Sequence, residues 1–254
     1  MVRPKKHLGQ HFLTDKNIAE KIAGCLSGTY STVCELGPGT GILTTALLER
    51  QDITHLKLIE IDTESVDYLN TNFADPRMDI IEKDFLKYNL TDISAEPFAL
   101  IGNFPYNISS QIFFKAIEHR DLVPEIAGMI QKEVAERMIA KPGNKTYGIL
   151  SVLMQTWYHI EYCFTVNENV FFPPPKVKSA VIRMTRNSNS TIDCDEKLLI
   201  RVVKTAFNQR RKTMRNSLKS LINDTIKTNE IFNLRPEQLS VEQFINLTNL
   251  ISEK

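Results

Sequence analysis

Thr32-Val-Cys-Glu-Leu36, Gly37-Pro-Gly-Thr-Gly41 and the run from Ile42 to Arg50 follow one another without a spacer, and no other stretch narrows the fold as far. The first reads as a short buried strand. The glycines of the second permit backbone conformations closed to other residues, and the third has helical spacing. Strand, tight turn and helix in that order open an α/β unit whose helix N-terminus offers unpaired N–H groups to a ligand. A glycine-rich turn of this kind alone serves equally as a plain tight turn.

The dinucleotide fingerprint is GxGxxG, with its helix aimed at a pyrophosphate. Here the pattern is E-x-G-x-G-x-G, with Glu35 just before the turn. A carboxylate beside the loop opposes a diphosphate and suits a ligand with positive charge, such as S-adenosylmethionine. The next strand, Leu56 to Glu60, ends in an acid about twenty positions after the glycines, where an acceptor can take both hydroxyls of a ribose. Asp62 then caps a helix from Thr63 to Phe73. Met78 to Glu82 is a third strand followed by Asp84-Phe85, a carboxylate and an aromatic suited to an adenine amine and ring face, although Asp84 alone reads equally as a loop acid or cap.

The fourth strand, Phe98 to Gly102, runs into Asn103-Phe-Pro-Tyr106. Pro105 has no N–H to donate and biases Phe104 toward extended backbone, so the chain leaves the sheet there. In open α/β sheets that exit is where ligands sit. The Asn103 oxygen and the Phe104 or Pro105 carbonyl could accept the two protons of an exocyclic amine while Tyr106 stacks on the base. By itself the tetrapeptide serves as well as a strand-capping turn.

Farther along, the pattern predicts a helix from Thr14 or Asp15 to Leu26, helices over 109–118, 132–140 and 148–157, and strands over 125–131, 159–166 and 179–185. The expected class is α/β: a Rossmann-like, doubly wound sheet with an antiparallel final strand, plus a small all-α C-terminal domain. Asn187-Ser-Asn-Ser190 reads as the linker, dividing residues 1–186 from 191–254. Beyond it, helices are expected over 196–207, 211–222 and 241–251. Arg210, Arg211, Lys212, Arg215 and Lys219 fall there with no acid among them, in a chain whose net charge is only +1. A charge run is commonly a solvated face, but a local positive patch on a neutral protein is also the signature of a phosphate-binding surface. Four cysteines without CxxC spacing argue against a zinc site or a disulfide framework, and no metal is expected. The basic N-terminal segment has no apolar stretch after it, and no run approaches transmembrane length, so a cytoplasmic protein is expected; with no obvious spare apolar surface in the sequence, a monomer is expected.

Taken together, Lys5-Lys-His-Leu-Gly-Gln-His-Phe-Leu-Thr-Asp15, Glu35 to Thr44, Asn103 to Tyr106, Phe172-Pro-Pro-Pro-Lys-Val-Lys-Ser-Ala-Val181 and Phe207 to Asn216 resemble the small-subunit ribosomal RNA adenine dimethyltransferases. The triple-proline segment is the most discriminating of these. The resemblance implies S-adenosylmethionine-dependent N6,N6-dimethylation of two adjacent adenosines in the terminal hairpin loop of the 16S RNA, within a partly assembled 30S particle, leaving S-adenosylhomocysteine. It also implies cofactor contacts at His11, Leu13, Gly37, Glu60, Asp84 and Asn103. Transfer falls to Asn103, Pro105 and Tyr106, stacking to Tyr106 with Phe171 or Phe172, and RNA binding to Arg210, Arg211, Lys212 and Arg215. His11 stands where the family often has Asn, and Phe104 where Leu is common. Two other readings remain: a large-subunit adenine methyltransferase of the macrolide-resistance type, which shares the fold and the Asn103–Tyr106 clamp but against which the triple-proline segment and Arg210-Arg-Lys212 argue, and an assembly factor whose methyl transfer is dispensable.

Overall fold

The computed structural model describes residues 2–187, 192–223 and 225–252. Its first part comprises β1 (Phe12–Leu13), α1 (Lys16–Ala23), β2 (Thr32–Leu36), α2 (Ile42–Leu48), β3 (His55–Glu60), α3 (Thr63–Asn72), β4 (Met78–Glu82), β5 (Ala99–Asn103), α4 (Ser109–Glu118) and β6 (Glu125–Gln131). There follow α5 (Lys132–Met138), α6 (Ile149–Trp157), β7 (Tyr158–Val166), β8 (Phe171–Phe172) and β9 (Ser179–Arg186). The remainder is helical: α7 (Glu196–Asn208), α8 (Met214–Ser217) and α9 (Val241–Ser252).

Seven strands form one sheet in the order β4-β3-β2-β5-β6-β9-β7. The pairs from β4 to β6 are parallel, and β9 runs antiparallel to β6. The class is the expected one, but β9 lies between β6 and β7 rather than at an edge. The central strands read as continuous apolar runs because both faces are covered: Leu100, Ile101, Ile126 and Met129 are fully buried. Strand order reverses between β2 and β5, the point at which such sheets bind ligands. Separately, β1 pairs with β8, placing Phe12 opposite Phe172 and Leu13 opposite Phe171.

Capping follows the sequence closely. Asp15 accepts from the Ile18 N–H, and Asp62 from the Glu64 N–H, satisfying donors that the first turns of α1 and α3 leave open.

The chain divides into two compact units, one of residues 2–135 and 161–186, the other of 136–160 and 187–252 among the described residues. The segment 136–160, read from sequence as part of the first unit, packs with the second. There the Tyr147 ring meets Phe207 at 6.1 Å and Phe207 meets Phe244 at 5.8 Å, joining α6, α7 and α9 around one apolar centre. Residues 188–190 of the expected linker lie outside the described residues.

The helix expected over 211–222 shrinks to α8. Thr213 is extended and so delays its start, and the chain turns at Leu218 with the Leu221 N–H on the Leu218 carbonyl. Met214, Ser217, Leu218, Leu221 and Ile222 are buried, so the spacing of the apolar positions is helical although the backbone is not. No helix among the described residues is long and apolar enough to cross a membrane.

Candidate functional site

At the carboxyl ends of β2, β3 and β5 lies a cavity of about 210 Å³, walled by the N-terminal segment His7 to Phe12, the glycine turn, Glu60, the turn Lys83 to Leu86, and Asn103 to Ile108. It brings together His11, Gly37, Glu60, Asp84, Asn103, Pro105 and Tyr106, seven residues singled out in the sequence.

Glu60, at the end of β3, organises one side. Its Oε2 accepts the Gly39 N–H at 3.1 Å, and its Oε1 accepts those of Ile61 and Asp62 at 2.9 and 3.0 Å. Burial raises its pKa despite those three bonds. Three of a carboxylate's roughly four lone-pair sites are therefore used, which leaves room for one ligand hydroxyl rather than both. Gly39 permits this approach. Its φ is +56°, and an added Cβ would fall 2.8 Å from the Phe12 ring beneath it.

Asp62 extends the network outward, accepting from Gln10 Nε2 at 3.2 Å, from Ser65 Oγ at 3.0 Å and from the Lys5 ammonium. Burial pushes the Asp62 pKa up, but these donors outweigh it and the net shift is downward. The basic entry segment is thus fastened to α3 rather than solvated. Lys5, Gln10 and Phe12 belong to the Lys5–Asp15 motif, but the sequence reading gave none of them a role.

Glu35 does not face the cavity. It is buried, accepts the Thr44 hydroxyl at 2.7 Å, and burial raises its pKa to about 8. The acid that the sequence reading set against a cationic ligand is thus a core group beneath the loop, and Glu60 occupies the position facing the ligand. Leu13 is also inward, part of the core, with its neighbours His11 and Phe12 lining the cavity instead.

The opposite side is built on Asn103 and the turn after it. Asn103 Nδ2 donates to the His11 carbonyl at 2.8 Å. A carbonyl only accepts, so this bond fixes which end of the amide is which. The Asn103 oxygen then has no hydrogen-bond partner among the described residues. The Pro105 carbonyl already accepts the Ile108 N–H at 3.2 Å, whereas that of Phe104 has no such partner among them. The Phe104 ring anchors the turn: it is fully buried over Gly128, where an added Cβ would come within 2.5 Å of it.

Tyr106 donates to or accepts from Ser179 Oγ at 2.5 Å, and its ring stacks on His11, centroids 5.6 Å apart and planes 26° apart. Burial raises the phenol's pKa. His11 Nδ1 lies 2.7 Å from the Pro173 carbonyl, an acceptor, so Nδ1 carries the proton. Of the two aromatics before the prolines, Phe171 is buried in the core and Phe172 is 59% exposed. The turn of Asn103 to Tyr106, the N-terminal segment and the triple-proline turn are therefore joined around one ring, which no short-range sequence pattern discloses.

In the second unit, Arg210 lies 3.1 Å from the Asn144 carbonyl and 3.9 Å from Glu237, and Arg215 donates to the Lys227 carbonyl and Asn233 Oδ1. The side chains of Arg211 and Lys212 are exposed and have no such partner among the described residues.

A family model described as ribosomal RNA adenine dimethylase matches residues 1–253. Proteins named Ribosomal RNA small subunit methyltransferase A from Parabacteroides distasonis and Flavobacterium johnsoniae are each 58% identical, the first over all of this chain and 96% of its own length, the second over 98% and 96%. Among solved structures, a dimethyladenosine transferase from Plasmodium falciparum superposes with a TM-score of 0.82 at 24% identity, covering 96% of this chain and 98% of that one. The 23S rRNA methyltransferase ErmE gives 0.67 at 22%, covering 94% and 99%. These two likenesses concern the fold.

Proposed function

The chain belongs to the ribosomal RNA adenine dimethylase family, and from that premise we propose that it dimethylates N6 of two adjacent adenosines in the 3'-terminal hairpin loop of small-subunit ribosomal RNA, with S-adenosylmethionine as methyl donor. The choice of subunit is supported by the relatives at 58% identity, which carry the small subunit in their names. The observation that carries the chemistry is Asn103, whose amide nitrogen is tied back to the His11 carbonyl while its oxygen is left open in the cavity.

The cavity's groups fit that cofactor: Glu60 retains one acceptor site for a ribose hydroxyl, Asp84 offers a carboxylate to an adenine amine, and Phe85 flanks it. When bound, the cofactor supplies a methyl group already activated by a positive sulfur. The protein's part is to present the base. An adenine amine is a poor nucleophile because its lone pair is delocalised into the ring. The Asn103 oxygen and the Phe104 carbonyl are two acceptors that can draw its hydrogens out of plane, so positioning provides most of the acceleration and no strong base is needed. Tyr106, held by Ser179, and the exposed Phe172 supply faces for the unstacked base, each contributing roughly 1–3 kcal/mol. Unstacking costs a few kcal/mol and less for a loop base than for a paired one. Arg211 and Lys212 are among the open cations of the helical unit and contact RNA phosphates, which supply affinity while RNA shape supplies target choice.

The reading extends to a cytoplasmic monomer acting on a partly assembled small subunit. It is tested by incorporating labelled methyl from S-adenosylmethionine into undermethylated small and large subunits and mapping the product. Dimethyladenosine at adjacent loop positions of the small subunit is expected; label in the large subunit, or particle binding without label, overturns it.

A further inference from the structure

Lys115, in the middle of α4, does something that no helix surface position requires. Its ammonium donates to three backbone carbonyls of one turn: Phe85 at 2.7 Å, Leu86 at 3.1 Å and Tyr88 at 2.5 Å. It also stands 5.3 Å from the centroid of the Phe85 ring, within cation–π range. An ammonium has three donors, and all three are spent on this turn. Within the turn the Asp84 side chain accepts the Leu86 N–H at 3.0 Å, and the Lys87 and Tyr88 N–H groups bond the Asp84 carbonyl at 3.0 and 2.9 Å. Asp84, Phe85 and Leu86 all line the cavity.

The placement of α4 gives this clamp its meaning. The helix starts at Ser109, three residues after Tyr106, so the element that leaves the base-handling turn also grips the wall on which Asp84 and Phe85 stand. Three carbonyls converging on one half-buried cation fix the path of that turn more firmly than its own local bonds do. Removing the ammonium leaves three acceptors without their donor, a loss that the turn relieves by moving.

We propose that Lys115 is a positioning residue for recognition of the cofactor's adenine: by holding the 85–88 carbonyls it sets the Asp84 carboxylate and the Phe85 ring where they distinguish an amine-bearing purine from other bases. The inference rests on the assignment of this cavity to S-adenosylmethionine. Lys115 itself does not line the cavity; it acts through the turn.

The test compares binding of S-adenosylhomocysteine with that of its deaminated analogue, S-inosylhomocysteine, by calorimetry on the full chain. The wild type is measured against Lys115→Met, which keeps the apolar stem, and Lys115→Arg, which keeps the charge and donors. The wild type is expected to prefer the adenosyl ligand strongly, since a carboxylate accepts from an amine and repels a carbonyl. In Lys115→Met the adenosyl affinity falls about tenfold while the inosyl affinity barely changes, so the preference narrows by a similar factor, and Lys115→Arg restores most of it. Should Lys115→Met fail to fold, Lys115→Gln, with two remaining N–H donors, carries the same comparison. An unchanged preference in a folded variant, whatever its melting temperature, makes Lys115 a structural lysine and overturns the proposal. A wild type that does not bind S-adenosylhomocysteine, or does not discriminate between the bases, refutes the cavity assignment instead.

Discussion

The two sides of the cavity are built on opposite principles. On the Glu60 side nearly every polar group is already bonded: three backbone N–H groups on Glu60, and Lys5, Gln10 and Ser65 on Asp62. On the Asn103 side the donor end of the amide is tied down and the acceptor end is left open, with an exposed Phe172 nearby in sequence to the Pro173 carbonyl that holds His11. The first arrangement resists deformation. The second keeps unused bonding capacity, held in place by a single bond behind it. Under the proposed function, the side that only binds gains from saturation, whereas the side that grips an amine through its reaction needs acceptors with nothing else to do.

The contrast breaks most visibly at Asn103. Asn103→Ala removes the open acceptor, and methyl transfer should fall by about 10²–10³-fold with RNA binding retained; a single-turnover assay beside an RNA-binding titration checks it. The adjacent phenylalanines sharpen the contrast next. Phe171→Ala should cost about 3–5 kcal/mol of stability in denaturant unfolding, while Phe172→Ala should leave stability nearly unchanged and weaken RNA binding by about 1–3 kcal/mol. Reversing charge at Arg211 and Lys212 together should weaken RNA binding and reduce the steepness of its salt dependence by about two phosphates' worth. An unchanged slope would make that stretch a solvated face. At Glu35 the expected effect is one of pH dependence. Its folded pKa of about 8 exceeds the ordinary 4.5, so the folded state binds the extra proton and stability declines as pH rises between those values. Thermal unfolding of Glu35→Gln from pH 5 to 8 should show a flatter decline than the wild type, by up to about 1.4 kcal/mol per pH unit.

The same contrast explains what could be seen in the sequence. Glu60 and Asn103 were legible because each ends a strand in a parallel sheet, and Asp84 because it follows the end of β4 by two residues; position in such a sheet determines position in space. The roles of Glu35 and Leu13 were not, because facing inward or outward at a strand end depends on neighbours distant in the chain. Lys115 gave no signal at all, since its three partners are backbone carbonyls roughly thirty residues upstream. The 211–222 stretch misled for a different reason. Its buried positions keep helical spacing through a turn, and the extended Thr213 and the bend at Leu218 are invisible to periodicity.

The pairing of β1 with β8 has a consequence for how the molecule is made. Phe12 and Leu13 are made some 160 positions before their partner residues Phe172 and Phe171. At about 5–20 residues per second the nascent chain carries an unmatched strand for roughly ten to thirty seconds. Throughout that interval the sheet from β2 to β6 can assemble, but His11 has no Pro173 carbonyl to bond. The β1–β8 pairing and the His11–Pro173 bond are therefore completed only once β8 and the prolines after it have been made.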